Sequence, residues 1–133
     1  MPFEINQRER EGIVVLDLAG DLTIGGGASQ LSDRIRELQA AGKVQVALNL
    51  EGVPYIDSTG LGTLVFCNTR LAKNKGALRL YNLNKRAAEL LILTRLSTVF
   101  EVFSGEQDAV NSFFPDRAIQ KFDILSFVQQ RTS

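Results

Sequence analysis

The chain has 133 residues, 44% hydrophobic and 23% charged, with fifteen basic side chains against fifteen acidic ones. That is the size and composition of one soluble globular domain able to bury a core. The cancelled charge provides no field to attract nucleic acid or an anionic membrane, and no apolar run reaches the ~20 residues of a membrane span. Histidine is absent and Cys67 is the single cysteine. These two facts exclude a Ser-His-Asp triad, the common imidazole-containing zinc sites and an internal disulfide.

The opening "MPFEINQRER" has no signal-peptide apolar segment, and with one cysteine it indicates the cytoplasm. Phe3 and Ile5 alternate, which predicts a short first strand. "GIVVLDLAGDL" predicts a second strand over residues 13–18, broken by Gly20 and Asp21. The two lie close enough to pair as a hairpin. "IGGGASQ" reads as a flexible link, and Leu31, Ile35 and Leu38 then recur at helical spacing up to a stop at Gly42. Residues 44–50, "VQVALNL", alternate as a strand.

The run "STGLGTLVFCNTRLAKNKG" places Leu61, Leu64, Val65, Leu71 and Ala72 on one helical face and ends at Gly76. Phe66 falls nearly opposite, on an outer face with Gly62, Thr69 and Lys73, and reads either as an ordinary isolated exposed apolar residue or as an anchor for a partner. Cys67 reads as a small hydrophobe. "ALRLYNL" is a strand, and Asn84 starts a helix carrying Ala87, Leu90, Leu91 and Leu93 or Thr94. "TVFEVF" is a strand and "GEQDAVNSFF" a short helix ended by Pro115. In "DRAIQKFDILSFVQQRTS", Phe122, Leu125 and Val128 fit helical spacing, so this extension is expected to dock on the domain as a helix, the alternative being a dimer or partner contact. Strands alternating with helices imply crossover units. The expected fold is α/β: a mixed sheet of about five strands with four helices packed mainly on one face.

The chemistry concentrates in "VPYIDSTGLGTLV", where a strand-like run passes through Asp57, Ser58 and Thr59 into a helix. Asp57 or Ser58 can cap the helix, and a cap is all that structure demands there. Gly60 and Gly62 cost roughly 1 kcal/mol each in a helix interior. Either they lower the surface for an approaching protein or phosphate, or they permit tight helix-on-strand packing. A nucleotide site is unsupported, since neither G-x-x-x-x-G-K-[ST] nor G-x-G-x-x-G is present in the required setting. A serine nucleophile with a lysine base is unsupported too, because Leu61 stands three residues after Ser58. A modifiable hydroxyl is the other functional candidate, beside the plain cap.

"LNLEGVPYIDSTGLGTLV" resembles the signature of STAS-domain anti-sigma-factor antagonists, whose D-S-[ST]-G-[LV]-G stretch carries a regulatory phosphoserine. The resemblance extends over roughly residues 3–114 and includes Gly20-Asp21 and "GALRLYNL". It implies a STAS domain over residues 1–114 and a C-terminal extension over 115–133. It implies a binding module with no catalytic residue, cofactor or metal of its own. Its partner would be a GHKL-type serine kinase that is also the anti-sigma factor; a PP2C-type phosphatase would reset the switch. Ser58 becomes the phosphoacceptor, and Asp21, Thr23, Asp57, Ser58, Thr59, Gly60, Gly62 and Phe66 the partner surface. The alternative is a constitutive STAS scaffold subunit of a signalling complex or lipid-transport system, with Ser58 only capping the helix. Thr23 departs from the family pattern, which favours aspartate. Arg95 stands where the family has glycine and is strained by about 1 kcal/mol if φ is positive there.

Overall fold

Strand pairing begins at the amino terminus. In the computed structural model, which describes residues 2–129, β1 (Glu4–Arg10) pairs antiparallel with β2 (Ile13–Ala19), Glu4 opposite Ala19 and Arg10 opposite Ile13. Glu11 and Gly12 connect them with φ of 54° and 84°. Two central residues at positive φ match the strands' twist. The first strand therefore runs well beyond the short one expected around Phe3 and Ile5. Its second half, Gln7 to Arg10, is polar because β1 is an edge strand, so hydrophobic alternation could not reveal it.

From β2 onward every pairing is parallel. β3 (Gln45–Gly52) follows α1 (Ala28–Ala40), β4 (Ala77–Tyr81) follows α2 (Ser58–Lys73), and β5 (Glu101–Phe103) follows α3 (Lys85–Leu93). The sheet order is β1-β2-β3-β4-β5. β5 is shorter than "TVFEVF" suggested because the chain before it is still turning, with the Val99 N–H donating to the Leu96 carbonyl at 3.0 Å.

One sheet face carries the larger core. Val14, Leu16, Val46, Leu48, Leu78 and Leu80 meet Leu31 and Ile35 of α1, Leu64 and Leu71 of α2, and Ala88 and Leu91 of α3. The opposite face buries Ile13, Val15, Ala47, Tyr81 and Phe103 beneath Ala109 and Val110 of α4 (Glu106–Asn111). Ions hold α4 there as well. Arg8 donates to Asp17 at 2.8 Å and to Glu106 at 3.0 Å, and Arg10 and the Tyr81 hydroxyl also donate to Glu106, at 2.6 and 2.9 Å.

Three crossover helices end alike. After α1, the Lys43 N–H returns to the Leu38 carbonyl at 2.8 Å and Gly42 takes φ 75°. After α2 and α3, Gly76 and Leu96 return to Leu71 and Leu91, each at 2.8 Å, around Lys75 (φ 66°) and Arg95 (φ 62°). This is the left-handed helix ending that favours glycine. Gly42 fits the expectation and Arg95 does occupy the strained conformation. Gly76 is displaced by one position: the left-handed residue is Lys75. Gly76 is needed because a Cβ there would lie 2.5 Å from Val44 Cβ and still closer to the Val44 carbonyl oxygen.

Other side chains depart from their expected faces. Ala72 is exposed and Cys67 takes its place inside, while Val65 is half-buried. Leu93 is 80% exposed, leaving Ala87, Ala88 and Leu91 as the buried residues of α3. After Pro115 the chain forms α5 (Ile124–Gln129), whose Ile124, Phe127 and Val128 pack against the main core. Leu125, expected inside, is 55% exposed. Phe122 precedes the helix and sets its ring 5.4 Å from that of Phe127.

Candidate functional site

Two loops at the C-terminal ends of β2 and β3 come together here. Leu22 and Ile56 form an isolated parallel bridge. The Leu22 N–H donates to the Tyr55 carbonyl at 2.9 Å, and the Asp57 N–H to the Leu22 carbonyl at 3.3 Å. Leu22 and Ile56 are buried, so the bridge is a rigid base beneath the exposed residues on either side.

Asp57 is the N-cap of α2. Its Oδ1 accepts from the Gly60 N–H at 2.8 Å, and its backbone carbonyl accepts from Leu61 at 2.9 Å. Its Oδ2 accepts from the Ile24 N–H at 3.1 Å. One carboxylate thus ties the turn after β2 to the start of α2. The Gly60 N–H first, then that of Ile24, hold its pKa below the ordinary aspartate value. The cap duty that the scaffold reading assigned to Ser58 belongs to Asp57. Ser58 is the first helical residue and is exposed, as is Thr59.

The two glycines have different reasons. Gly60 is buried; a Cβ there would lie 1.9 Å from the Leu22 carbonyl oxygen and 3.1 Å from Ile56 Cγ2. It permits close packing of α2 on the bridge and presents little surface. Gly62 is exposed, and a Cβ there would meet nothing within 4 Å. Only Gly62 lowers the outer surface.

The triglycine run is a packed turn rather than a flexible link. The Gly26 and Ala28 N–H groups donate to the Thr23 carbonyl, both at 3.1 Å, and Gly27 donates to the Asp21 carbonyl at 2.9 Å. A Cβ on Gly26 would lie 2.5 Å from the Asp21 carbonyl oxygen, and one on Gly27 would run into the Phe3 ring. Asp21 is exposed and Thr23 half-buried.

The structure therefore gathers Asp21, Thr23, Asp57, Ser58 and Thr59 at one end of the sheet, with Gly62 a turn further along α2. Phe66 stands apart, about 12 Å from Ser58 along the helix axis by the rise per residue. It is half-buried rather than openly exposed: the guanidinium groups of Arg36 and Arg70 lie 4.9 and 5.6 Å from its ring centroid. The helical wheel missed this because the covering arginine, Arg36, comes from α1. Sequence reasoning also missed Ile24, 78% exposed, and Tyr55, 45% exposed. The available signal was an isoleucine followed by three glycines, ahead of the first residue of the helix.

Among the described residues no three His, Cys, Asp or Glu side chains group as a metal site, and no helix is long and apolar enough to cross a membrane. The site presents the exposed Ser58 at the start of α2. A helix start tolerates added negative charge through its free N–H groups and dipole. Nothing in the core rests on the Ser58 side chain.

The family model for the STAS domain matches residues 4–109. The anti-sigma-B factor antagonist of Bacillus subtilis is 26% identical over 110 residues, covering 83% of this chain and 99% of that protein. A putative anti-sigma factor antagonist from Thermotoga maritima superposes with a TM-score of 0.76 at 22% identity, over 81% of this chain and 92% of that one. The Bacillus cell fate determinant SpoIIAA in its phosphorylated form does so with a TM-score of 0.64 at 20% identity, over 84% and 98%. With its mixed sheet, its crossover helices and the capped turn at Asp57 all inside the matched span, the chain belongs to the STAS domain family.

Proposed function

We propose that this protein is an anti-sigma-factor antagonist switched by phosphorylation of Ser58. Its unphosphorylated form binds a GHKL-type serine kinase that is also the anti-sigma factor and so releases the sigma factor. Transfer of the γ-phosphoryl group from ATP to Ser58 Oγ, which breaks the bond to the β-phosphate, releases ADP and sheds the hydroxyl proton, ends the binding, and a PP2C-type phosphatase restores it by hydrolysis. The chain is a binding module and a substrate, with the kinase supplying the catalysis. Residues 1–114 carry the partner surface, and residues 115–133 are a C-terminal extension outside it. The names of relatives such as the anti-sigma-B factor antagonist support the reading, as does the phosphorylated state of SpoIIAA.

The observation that carries it is the division of labour at the helix start: Asp57 caps, so the exposed Ser58 hydroxyl is left for another use. The same observation weighs against the scaffold reading. A phosphate of about −1.5 to −2 charges is compatible with the fold at that position, so the switch acts at the contact surface. A 100-fold loss of affinity needs only about 2.7 kcal/mol, within the cost of desolvating a misplaced phosphate.

The test is incubation with the cognate kinase and ATP, mapping of phosphate by mass spectrometry, and affinity measurements on two variants. Ser58→Ala should hold the kinase and resist modification, and Ser58→Glu should bind at least tenfold more weakly. Equal affinities, or phosphate only at other residues, would reject the reading.

A further inference from the structure

Ile24 is 78% exposed, on the turn that is tied to the residue before the proposed phosphoacceptor. Its backbone N–H is bound by Asp57, the residue that precedes Ser58 and caps its helix. The turn carrying it is fixed from the other side by the N–H groups of Gly26, Gly27 and Ala28. An apolar side chain on an immobilised backbone loses little further freedom on docking. Tyr55, 45% exposed, lies on the neighbouring loop, with its carbonyl holding Leu22. Thr23 is half-buried, so the outer surface of the turn is dominated by Ile24, flanked by the exposed Asp21.

We infer that Ile24 is the apolar anchor of the partner interface and seats in an apolar pocket on the kinase. This rests on the proposed function and deepens it. Isolated exposed apolar residues are ordinary; the case here rests on rigidity and on position. The Ile24 N–H is held by the carboxylate of Asp57, the residue that precedes Ser58, so the turn bearing the isoleucine and the helix start bearing the hydroxyl belong to one fixed surface. The arrangement explains how a local modification can break a whole contact. A phosphate on Ser58 needs water or cationic partners, and Ile24 needs water excluded. Both cannot be satisfied in one dry pocket, so phosphorylation unseats the anchor.

The experiment uses the full chain and the serine kinase that modifies it, with binding measured by calorimetry in the presence of ADP. Removing a buried isoleucine side chain from an interface should weaken binding about 10- to 100-fold. Ile24→Ser should show that loss, and Ile24→Val should stay within about threefold of the wild type, because a branched apolar side chain still seats. Unfolding midpoints should be unchanged for both, since the side chain lies outside the core. The 100-fold penalty of phosphorylation should shrink in Ile24→Ser, which has less to lose. If the wild-type chain binds and is modified at Ser58 while Ile24→Ser binds equally well, Ile24 is not the anchor and the proposed function stands. If the wild-type chain neither binds a serine kinase nor is modified at Ser58, the proposed function fails and the anchor assignment fails with it.

Discussion

Gly60 and Gly62 lie two residues apart in the same helix, and replacing each by alanine should change stability in opposite directions. At Gly60 a new methyl would stand 1.9 Å from the Leu22 carbonyl oxygen and 2.8 Å from its carbon. The obstacle is backbone, so no side-chain rotation relieves it, and α2 must lift off the Leu22–Ile56 bridge. Overpacking of this kind costs typically 1–3 kcal/mol. Movement also threatens the Asp57 N–H bond to the Leu22 carbonyl, a further ~1 kcal/mol. Up to about 1 kcal/mol returns from helix propensity. The net expectation is a loss of about 1–3 kcal/mol. At Gly62 there is open space, so Gly62→Ala should gain about 0.4–1 kcal/mol. Urea denaturation of the three proteins, read from the midpoint at constant slope, measures both values. A Gly60→Ala protein as stable as the wild type, or a Gly62→Ala protein less stable, would refute the account of why each glycine is there.

Arg95→Gly should stabilise the chain by about 1 kcal/mol in the same assay, since Arg95 holds φ 62° without a compensating side-chain role in the site. Glu106 sits among Arg8, Arg10 and Tyr81, and the Arg8 hydrogen bonds above all hold its carboxyl at about 2 against an ordinary 4.5. Its contribution is therefore complete above the unfolded value of 4.5 and is lost as pH falls through about 2. Glu106→Gln should flatten the fall in stability across that acid window in pH-dependent denaturation. Cys67 is fully buried and burial pushes its thiol up to about 12. Iodoacetamide should leave it unmodified in the folded protein and alkylate it in denaturant, as mass spectrometry would show.

The parallel half of the fold was legible because β2 opens on a continuous apolar run, β3 and β4 carry their large aliphatic residues in alternation, and the helices between them repeat at 3.6. The reach of β1 was not, because an edge strand of Gln, Arg and Glu is defined by its hydrogen bonds and not by its hydropathy. Glycine served well as a stop after α1 and misled after α2, where Lys75 bears the left-handed turn and Gly76 only makes room for Val44. At the site, the type of each residue was readable and its partner was not. Asp57 was one of two possible caps until its carboxylate was seen holding both Gly60 and Ile24. Phe66 was expected on the exposed face, yet it is half-buried against the core and beneath an arginine of α1 that lies thirty positions earlier.

The strands stand in space in the order in which they occur along the chain. Each new strand can therefore add to the edge left by the one before, as the pairings of Val14 with Val46, Val46 with Leu78 and Leu80 with Val102 illustrate. No strand has to wait for a distant one and then insert between two others. Each addition closes only a crossover of modest length, for which the entropic penalty grows slowly. Such a sheet can assemble progressively during synthesis, from the hairpin outward, with the region around position 58 organised before the last third of the polypeptide has emerged.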